Sequence, residues 1–296
     1  MKKNPTIVVH NGDFHPDDVF AVATLFLVFG HANVMRSRDP KIIEAADIVA
    51  DVGGVYDETR DRFDHHQING AGMRPYGIPY ASFGLVWKKY GLHVSGSLSI
   101  AEEIDRHIVA PVDAMDNGVP IWKPLFPDVS PYTFDKVIFA FRPTWKEGES
   151  GVNEAFLQAV GLAKSLLERE ISRGHDYEEG VARADEEYRS AADKRVIVLS
   201  KKYPWERMMT ERPEPLYVMY PNEADKTWHL KTVWANRDEL FKSRKDFPEA
   251  WAGKQGAELA AITGVPDAVF CHTKRFLVVA KSKEGAMALA NLALAA

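Results

Sequence analysis

Residues 62–67 are Arg-Phe-Asp-His-His-Gln, an acid followed by two adjacent imidazoles at the end of an expected strand. Imidazole is the commonest transition-metal ligand near neutral pH. A neighbouring carboxylate binds a metal itself or holds a ligating ring in one tautomer. A solvated turn that carries two histidines is the alternative, and the motif alone does not decide between them.

Three further clusters of acids and histidines lie in the N-terminal half of the chain. Residues 10–18 are His-Asn-Gly-Asp-Phe-His-Pro-Asp-Asp, Asp51 precedes Val-Gly-Gly, and Asp113 and Asp116 are three positions apart. Each cluster stands where a strand or a helix is expected to end. Together with residues 62–67, the clusters predict a metal site.

Apolar segments of the N-terminal half alternate between strand and helix patterns. They predict strands and helices in turn at 6–10, 16–29, 33–38, 41–46 and 48–52. This alternation is typical of a parallel sheet with crossover helices, in which ligands collect at the carboxyl ends of the strands. His10 and Asp51 both lie at such ends, so we expect them to be neighbours in space.

Two domains are expected from the length of 296 residues and from a change of pattern near residue 194. Residues 1–194 are predicted to form an α/β domain with a mostly parallel sheet and flanking helices. Its later part is predicted to hold a polar turn and four helices, at 56–61, 81–90, 98–112, 153–170 and 177–194. Residues 195–296 mix short strands with helices and predict a smaller α+β domain.

Composition limits the class of protein. Hydrophobic residues make up 46% and charged residues 27%, the balance of a soluble globular protein, and no apolar run approaches the ~20 residues that cross a bilayer. The single cysteine, Cys271, excludes an internal disulfide, and the first residues lack a signal-peptide pattern, which favours the cytoplasm. The net charge of −5 argues against a protein that coats long nucleic acid.

The number of candidate ligands matches a pair of divalent ions. Two ions about 3.5–4 Å apart can hold an attacking water and a phosphoryl oxygen together. One ion is predicted to bind His10, His15 and Asp51. The other is predicted to bind Asp17, Asp51, His65 and either Asp113 or Asp116. Asp51 would then bridge the two ions.

Two more residues are expected to act beside the ions. Asp64 would orient an imidazole, and His66 would face the substrate and neutralise or protonate an oxygen. Mixed imidazole and carboxylate ligands fit manganese, zinc or iron better than magnesium or calcium. We expect two ions, with manganese favoured and zinc, iron and magnesium as alternatives.

The motifs resemble those of the DHH phosphoesterase superfamily, named for the triplet at 64–66, and are closest to the melanocyte-proliferating-gene (Myg) family of metal-dependent exonucleases. The Myg motifs His-x-Gly-x-Phe-His-x-Asp, Asp-Val-Gly-Gly-Val-Tyr-Asp, Arg-Phe-Asp-His-His-Gln, Asp-x-x-Asp-Asn-Gly and Pro-Thr-Trp correspond to 10–17, 51–57, 62–67, 113–118 and 143–145. The resemblance covers nearly the whole chain. It implies a DHH domain, a smaller C-terminal substrate domain, and 3′–5′ exonuclease activity or related phosphodiester hydrolysis.

Substrate contacts are expected from cationic residues outside the acidic clusters. With the resemblance, His272, Lys274 and Arg275 are predicted to contact substrate, and a solvated turn is the alternative. Arg142 either clamps a phosphate or forms a surface salt bridge. The expected partner is a short single-stranded RNA or DNA, or a nucleotide phosphodiester, and no membrane is expected. A homodimer is compatible with the sequence.

Two other functions fit part of the pattern. His-Pro-Asp-Asp at 15–18 also resembles the signature of zinc N-deacetylases, which leaves the triplet at 64–66 unexplained. A metal-binding protein without turnover would keep the same ligands, because hydrolysis depends on finer geometry than a sequence shows.

Overall fold

A computed structural model describes residues 3–148, 150–236 and 242–296. Contacts divide the chain into two compact units, Met1–Gly174 and His175–Ala296. The domain boundary at 194 stays a prediction, because a compact unit of contacts need not fold or function alone. Across the described residues, no helix is both long enough and apolar enough to cross a membrane.

The first unit contains a mixed sheet. Its strands are β1 (Thr6–Val9), β2 (Asn33–Arg36), β3 (Ile48–Ala50), β4 (Tyr56–Asp57) and β5 (Arg62–Phe63). They lie in the order β2-β1-β3-β5-β4, and neighbouring strands are parallel except for β4 and β5. The predicted α/β class is confirmed. The short edge strand β4 lies in the segment that was expected to be a polar turn.

Helices of the first unit pack around this sheet. They are α1 (Pro16–Phe29), α2 (Pro40–Ala45), α3 (Ser82–Ser95), α4 (Leu98–Ile104), α5 (Ala110–Asp116) and α6 (Phe134–Phe139). A seventh helix, α7 (Val152–Ser190), begins in the first unit and continues beyond Gly174 into the second. Residues 16–25 of α1 are all buried, which explains why this helix is apolar on every side. Phe20 of α1 stacks on Phe83 of α3, with 5.1 Å between ring centroids.

One helical segment runs from Leu98 to Asp116, beyond the predicted end at 112. A π-helical turn, Asp105–Val109, joins α4 to α5 within it. In a regular α-helix, the ring of Pro111 would clash with the carbonyl four residues earlier, and the wider π turn makes room for it. The continuation carries Asp116 to the carboxyl edge of the first sheet.

The prediction of two separate helices at 153–170 and 177–194 is wrong, because α7 continues through the intervening residues. Gly174 lies at the point where a break was expected. A Cβ atom at Gly174 would lie 2.9 Å from Ile100 Cγ1, so glycine lets α7 pack closely against α4. The packing outweighs the cost of a glycine within a helix, about 1 kcal/mol.

The second unit also contains a mixed sheet. Its strands are β6 (Val196–Val198), β7 (Tyr217–Asn222), β8 (Thr227–Thr232), β9 (Ala268–Cys271) and β10 (Leu277–Ala280), in the order β6-β7-β8-β10-β9. Its helices are α8 (Glu206–Thr210), α9 (Gly256–Thr263) and α10 (Lys283–Ala295). Burial raises the pKa of the Cys271 thiol to about 12, so this thiol is structural rather than nucleophilic.

Candidate metal centre

The carboxyl ends of β1, β3 and β5 place three acidic and imidazole groups side by side. Ala50 of β3 pairs with Phe63 of β5, and β1 pairs in parallel with β3. In that register, His10, Asp51 and Asp64 each follow directly after their strand. Neighbouring parallel strands end at the same edge of a sheet, and residues from three distant motifs therefore meet there.

The loop between β1 and α1 is closed by Asp18. Its Oδ1 accepts a hydrogen bond of 2.9 Å from the backbone N–H of His15, which satisfies a free donor at the start of α1. The other oxygen, Oδ2, lies 3.2 Å from His10 Nε2. The His10 and His15 rings are 5.6 Å apart between centroids, so both histidines face the same space.

Asp51 lies between the imidazoles of three histidines. Its Oδ2 is 3.2 Å from His10 Nε2, and its Oδ1 is 3.5 Å from both His65 Nε2 and His66 Nδ1. Burial alone would raise the pKa of Asp51, but hydrogen bonds and charge from His10 and His65 hold it below its usual range. The carboxylate is therefore ionised and faces imidazoles from two separate strands.

The backbone at Asp51 is left-handed, with φ 55°. This conformation is uncommon for residues other than glycine, and asparagine and aspartate tolerate it best. The kink turns the chain out of β3 before Gly53 and Gly54. It also allows the N–H of Gly54 to donate a 2.5 Å hydrogen bond to Asp64 Oδ2.

Asp64 orients His66 rather than His65. Its Oδ1 accepts hydrogen bonds from the backbone N–H of His66 at 3.1 Å and from His66 Nδ1 at 2.7 Å. A carboxylate acceptor requires a proton on Nδ1, so Asp64 fixes the tautomer of this ring. The side chain of His66 is 62% exposed, whereas that of His65 is 8% exposed.

Asp113 and Asp116 have different partners, although both lie on α5. Asp116 Oδ2 is 3.1 Å from His65 Nε2. Asp113 is buried, and its two oxygens accept hydrogen bonds from the backbone N–H of Gly84 at 3.0 Å and from Arg74 Nη1 at 2.7 Å. The structure therefore brings Asp116 to the histidines and engages Asp113 elsewhere.

The clustered side chains line an open cavity of about 440 Å³. Its lining consists of His10, His15, Arg38, Asp51, His65, His66, Asp116 and Asn117. Asp17 lies beneath the lining, fully buried, with Oδ2 3.8 Å from His65 Nε2. A small molecule that enters this cavity meets the imidazoles and carboxylates directly.

The donor set fits divalent cations. Ligand atoms lie within 4.8 Å of one another in three groups, which are His10–His15–Asp51, Asp51–His65–His66 and Asp17–His65–Asp116. Both carboxylate oxygens of Asp17 are buried without a hydrogen-bond partner among the described residues. Buried polar atoms are nearly always paired, and a cation would pair these.

Electrostatics supports the same conclusion. Burial, followed by the charges of Asp51 and Asp116, raises the pKa of Asp17 well above its usual value. Burial lowers the pKa of His10 and His65, but neighbouring carboxylates more than offset this and raise both pKa values to about 10. The raised pKa values show that the crowded carboxylates favour positive charge at these two positions.

Arg142 is engaged with the backbone of the loop between β1 and α1. Its Nε and Nη2 atoms both donate hydrogen bonds to the carbonyl oxygen of Phe14. Its guanidinium carbon lies 3.9 Å from the ring centroid of Phe139. Arg142 is also absent from the described lining of the cavity. The structure therefore gives this arginine a structural partner close to the candidate ligands.

The remaining predicted residues lie in the turn between β9 and β10 of the second unit. His272 Nδ1 accepts a hydrogen bond of 3.0 Å from the backbone N–H of Lys274, and Arg275 Nη2 lies 3.2 Å from Asp246 Oδ2. Arg275 has a left-handed backbone, with φ 58°. The turn presents basic side chains, and their contact with substrate stays a prediction.

Three residues of this region were not predicted as site residues from the sequence. Asp18 holds His15 and faces His10, and its place in the first turn of α1 was the available signal. Arg74 anchors Asp113 from a segment rich in glycine and proline. Arg38 lines the cavity two residues beyond β2. Its position after a strand, which predicted His10 as a site residue, could have predicted Arg38 as well.

Fold and site together define an α/β protein with a candidate divalent-metal centre at the carboxyl edge of its first sheet. Comparison with known proteins gives the family. The chain belongs to the MYG1 family, because residues 6–294 match the family model MYG1_exonuc, described as uncharacterised protein family UPF0160.

Relatives from distant organisms match along their length. The chain is 28% identical to the MYG1 exonuclease of Homo sapiens, with 98% of this chain and 86% of the human protein covered. It is 30% identical to a MYG1 protein of Saccharomyces cerevisiae, with 99% and 97% covered. It is 29% identical to a MYG1 protein of Chlamydia pneumoniae, with 98% and 96% covered. The resemblance to the Myg family is confirmed.

Proposed function

We propose that this chain is a metal-dependent phosphodiesterase of the DHH type, which removes nucleotides from the 3′ end of short single-stranded RNA or DNA. One observation carries the proposal. The carboxylate of Asp51 lies within 3.5 Å of nitrogens from His10, His65 and His66, and therefore faces two candidate metal groups. A carboxylate shared by two ions is the arrangement that two-metal phosphoryl transfer needs.

Two further observations support the nuclease and the DHH assignments. The human relative is named an exonuclease, and the match extends over nearly all of this chain. The triplet at 64–66 directly follows β5, with Asp64 hydrogen-bonded to His66 and with His65 facing Asp51. In the proposed site, Asp64 orients His66, His65 binds metal and His66 meets the substrate.

Two sets of side chains would hold the ions, and manganese is the proposed metal. The first set is His10, His15 and Asp51. The second set is Asp17, Asp51, His65 and Asp116. Asp113 is left out because both of its oxygens are engaged by Arg74 and Gly84. When bound, the ions would activate a water molecule and neutralise charge that develops on the phosphoryl oxygens.

His66 is the proposed proton donor to the leaving oxygen. Asp64 accepts the hydrogen bond from Nδ1–H, and a proton carried on Nε2 would pass to the leaving oxygen. The exposure of the ring suits a group that meets substrate at the cavity mouth. Asp64 is buried and holds the imidazole in one orientation throughout, in the manner of the buried acid in other catalytic triads.

Short single strands are the proposed substrates. A net charge of −5 gives little long-range attraction to a long polyanion, so binding depends on local contacts. His272, Lys274 and Arg275 are the proposed substrate contacts of the C-terminal domain, residues 195–296. A cavity of about 440 Å³ suits the end of a strand better than a duplex.

Removal of metal is expected to lower hydrolysis by at least about 100-fold, since the nucleophilic water and the charge stabilisation would both be lost. The protein is treated with a chelator and dialysed, and then receives Mn²⁺, which should restore the rate. End-labelled oligonucleotides of graded length report the direction of shortening.

Controls separate the competing functions. Equal activity before and after chelation would contradict metal dependence, and internal nicking of a circular strand would contradict end-directed cleavage. Hydrolysis of an acetylated sugar in place of oligonucleotides would favour a zinc N-deacetylase. Metal binding without turnover of any substrate would favour a silent metal-binding protein.

His66→Ala is expected to keep bound metal and to lose rate, by about 10²–10⁴-fold, the contribution typical of a general acid. His65→Ala is the matched variant, because it removes the adjacent imidazole and is expected to lose metal as well. Elemental analysis after dialysis measures metal content in both. Metal loss in His66→Ala, with retention in His65→Ala, would reverse the two assignments.

A further inference from the structure

Arg38 is the one lysine or arginine among the described residues that line the cavity. It follows β2 by two residues, at the same edge of the sheet as His10 and Asp51. Its side chain is exposed, and it forms no hydrogen bond or ion pair with residues 3–148, 150–236 or 242–296. An arginine without a partner beside a group of carboxylates has its donors available for a ligand.

We propose that Arg38 binds the phosphoryl group that is cleaved, through hydrogen bonds to its non-bridging oxygens. The inference rests on the proposed phosphodiesterase function and names a residue that contacts the reacting phosphate. A planar guanidinium matches two oxygens of a phosphate at once, and charge-assisted pairs of this kind are among the strong hydrogen bonds.

Two neighbouring arginines show why this role falls to Arg38. Arg36 Nη2 donates a 2.6 Å hydrogen bond to the carbonyl of Gly12, and the guanidinium carbon lies 4.8 Å from the ring centroid of Phe156. Arg142 donates to the carbonyl of Phe14. Both arginines therefore donate hydrogen bonds to backbone carbonyls of the loop between β1 and α1. Arg38 has no comparable backbone partner in the part of the chain that the structure describes.

The cavity size indicates which phosphate is bound. Small-molecule sites are typically about 300–1,000 Å³, and this cavity of about 440 Å³ accommodates one terminal nucleotide. The phosphate that reaches the imidazoles and carboxylates is then the one being cleaved. Charge builds on its oxygens in the transition state, so a guanidinium there should stabilise the transition state more than the bound substrate.

The test compares Arg38→Ala and Arg38→Lys with Lys41→Ala. Lys41 is exposed, lies three residues further along, and is absent from the described lining of the cavity, so its variant removes the same charge without the same contact. Arg38→Ala is expected to lower kcat by about 10²-fold with a smaller change in KM, as for loss of one donor to a developing oxyanion. Arg38→Lys should recover part of the rate, because it restores charge without the planar pair of donors.

Two measurements do not depend on turnover. Metal content after dialysis should equal that of the parent in all three variants. Inorganic phosphate, titrated by calorimetry into the Mn²⁺-loaded protein, should bind about tenfold more weakly to Arg38→Ala, a loss of ~1.4 kcal/mol. Lys41→Ala should bind phosphate as the parent does.

Each outcome decides the proposal. It is overturned if Arg38→Ala matches Lys41→Ala in kcat and in phosphate affinity, or if Arg38→Ala loses metal. A parent protein that cleaves no oligonucleotide defeats the phosphodiesterase function separately. In that case, phosphate binding that still depends on Arg38 supports the phosphate site, and binding that does not depend on it overturns the site.

Discussion

Asp51→Asn is expected to lower oligonucleotide hydrolysis by about 10³-fold or more, with metal content reduced and the fold retained. Loss of a group that supports a single metal typically costs about 10–100-fold, and Asp51 faces two candidate metal groups. The substitution keeps the size of the side chain and removes its charge. Its effect should therefore exceed that of replacing a ligand in one group only, such as Asp116→Asn.

The backbone makes Asp51→Asn a clean change. Asparagine tolerates the left-handed conformation at φ 55° as well as aspartate does, so little strain is added. Asp128→Asn is the matched control, because Asp128 is exposed and has φ 60°. Circular dichroism and thermal unfolding should be close to the parent in both variants. Asp51→Asn activity within tenfold of the Asp128→Asn control would remove Asp51 from the bridging position.

The location of the candidate centre followed from the order of strands and acids along the sequence. Parallel strands that are neighbours in a sheet end at one edge, and the motifs at His10, Asp51 and Asp64 each begin where an apolar segment stops. Only the alternation of strands and helices was needed to place them together. The register then brings them into one row.

The sequence did not predict which of the two aspartates on α5 faces His65. Asp113 and Asp116 are about 60° apart around an α-helix, so periodicity puts them on one side without choosing between them. The choice depends on Arg74, which lies 39 positions before Asp113 in a segment without periodic pattern. No local rule connects the two. The tertiary contact decides which carboxylate stays with His65.

Arg142 and Arg38 are a second case in which the sequence did not predict the partner of a side chain. Arg142 and Arg38 are equally cationic in the sequence, and the difference lies in which donors the backbone already uses. A carbonyl that lies 128 positions away, that of Phe14, engages Arg142. Such a partner depends on how the loop between β1 and α1 is folded, so composition and spacing carry no signal for it.

Arg74→Met is expected to lower the free energy of unfolding by about 3–5 kcal/mol, the cost of removing one partner of a buried ion pair. The side chains of Arg74 and Asp113 are 2% and 0% exposed. Burial raises the pKa of Asp113 to about 7 even though Arg74 lowers it, so the carboxylate would be poorly accommodated alone. Urea unfolding measures the change, and methionine keeps most of the side-chain volume.

The double variant Arg74→Met with Asp113→Asn should recover part of the lost stability, because the buried charge of Asp113 is removed together with its partner, and Asp105, the other partner of Arg74, is 28% exposed. Arg60→Met is the control for a surface pair, since Arg60 and Asp57 form an exposed ion pair, and it should change stability little.

Asp113 also accepts a hydrogen bond from the backbone N–H of Gly84 at the start of α3, near Ser82, whose hydroxyl lies 3.4 Å from Asp51. Because Arg74 and Gly84 engage Asp113, Asp113→Asn should keep metal. Asp116 faces His65, so Asp116→Asn should lose metal. The reverse result would make Asp113 a ligand and would contradict the anchoring role of Arg74.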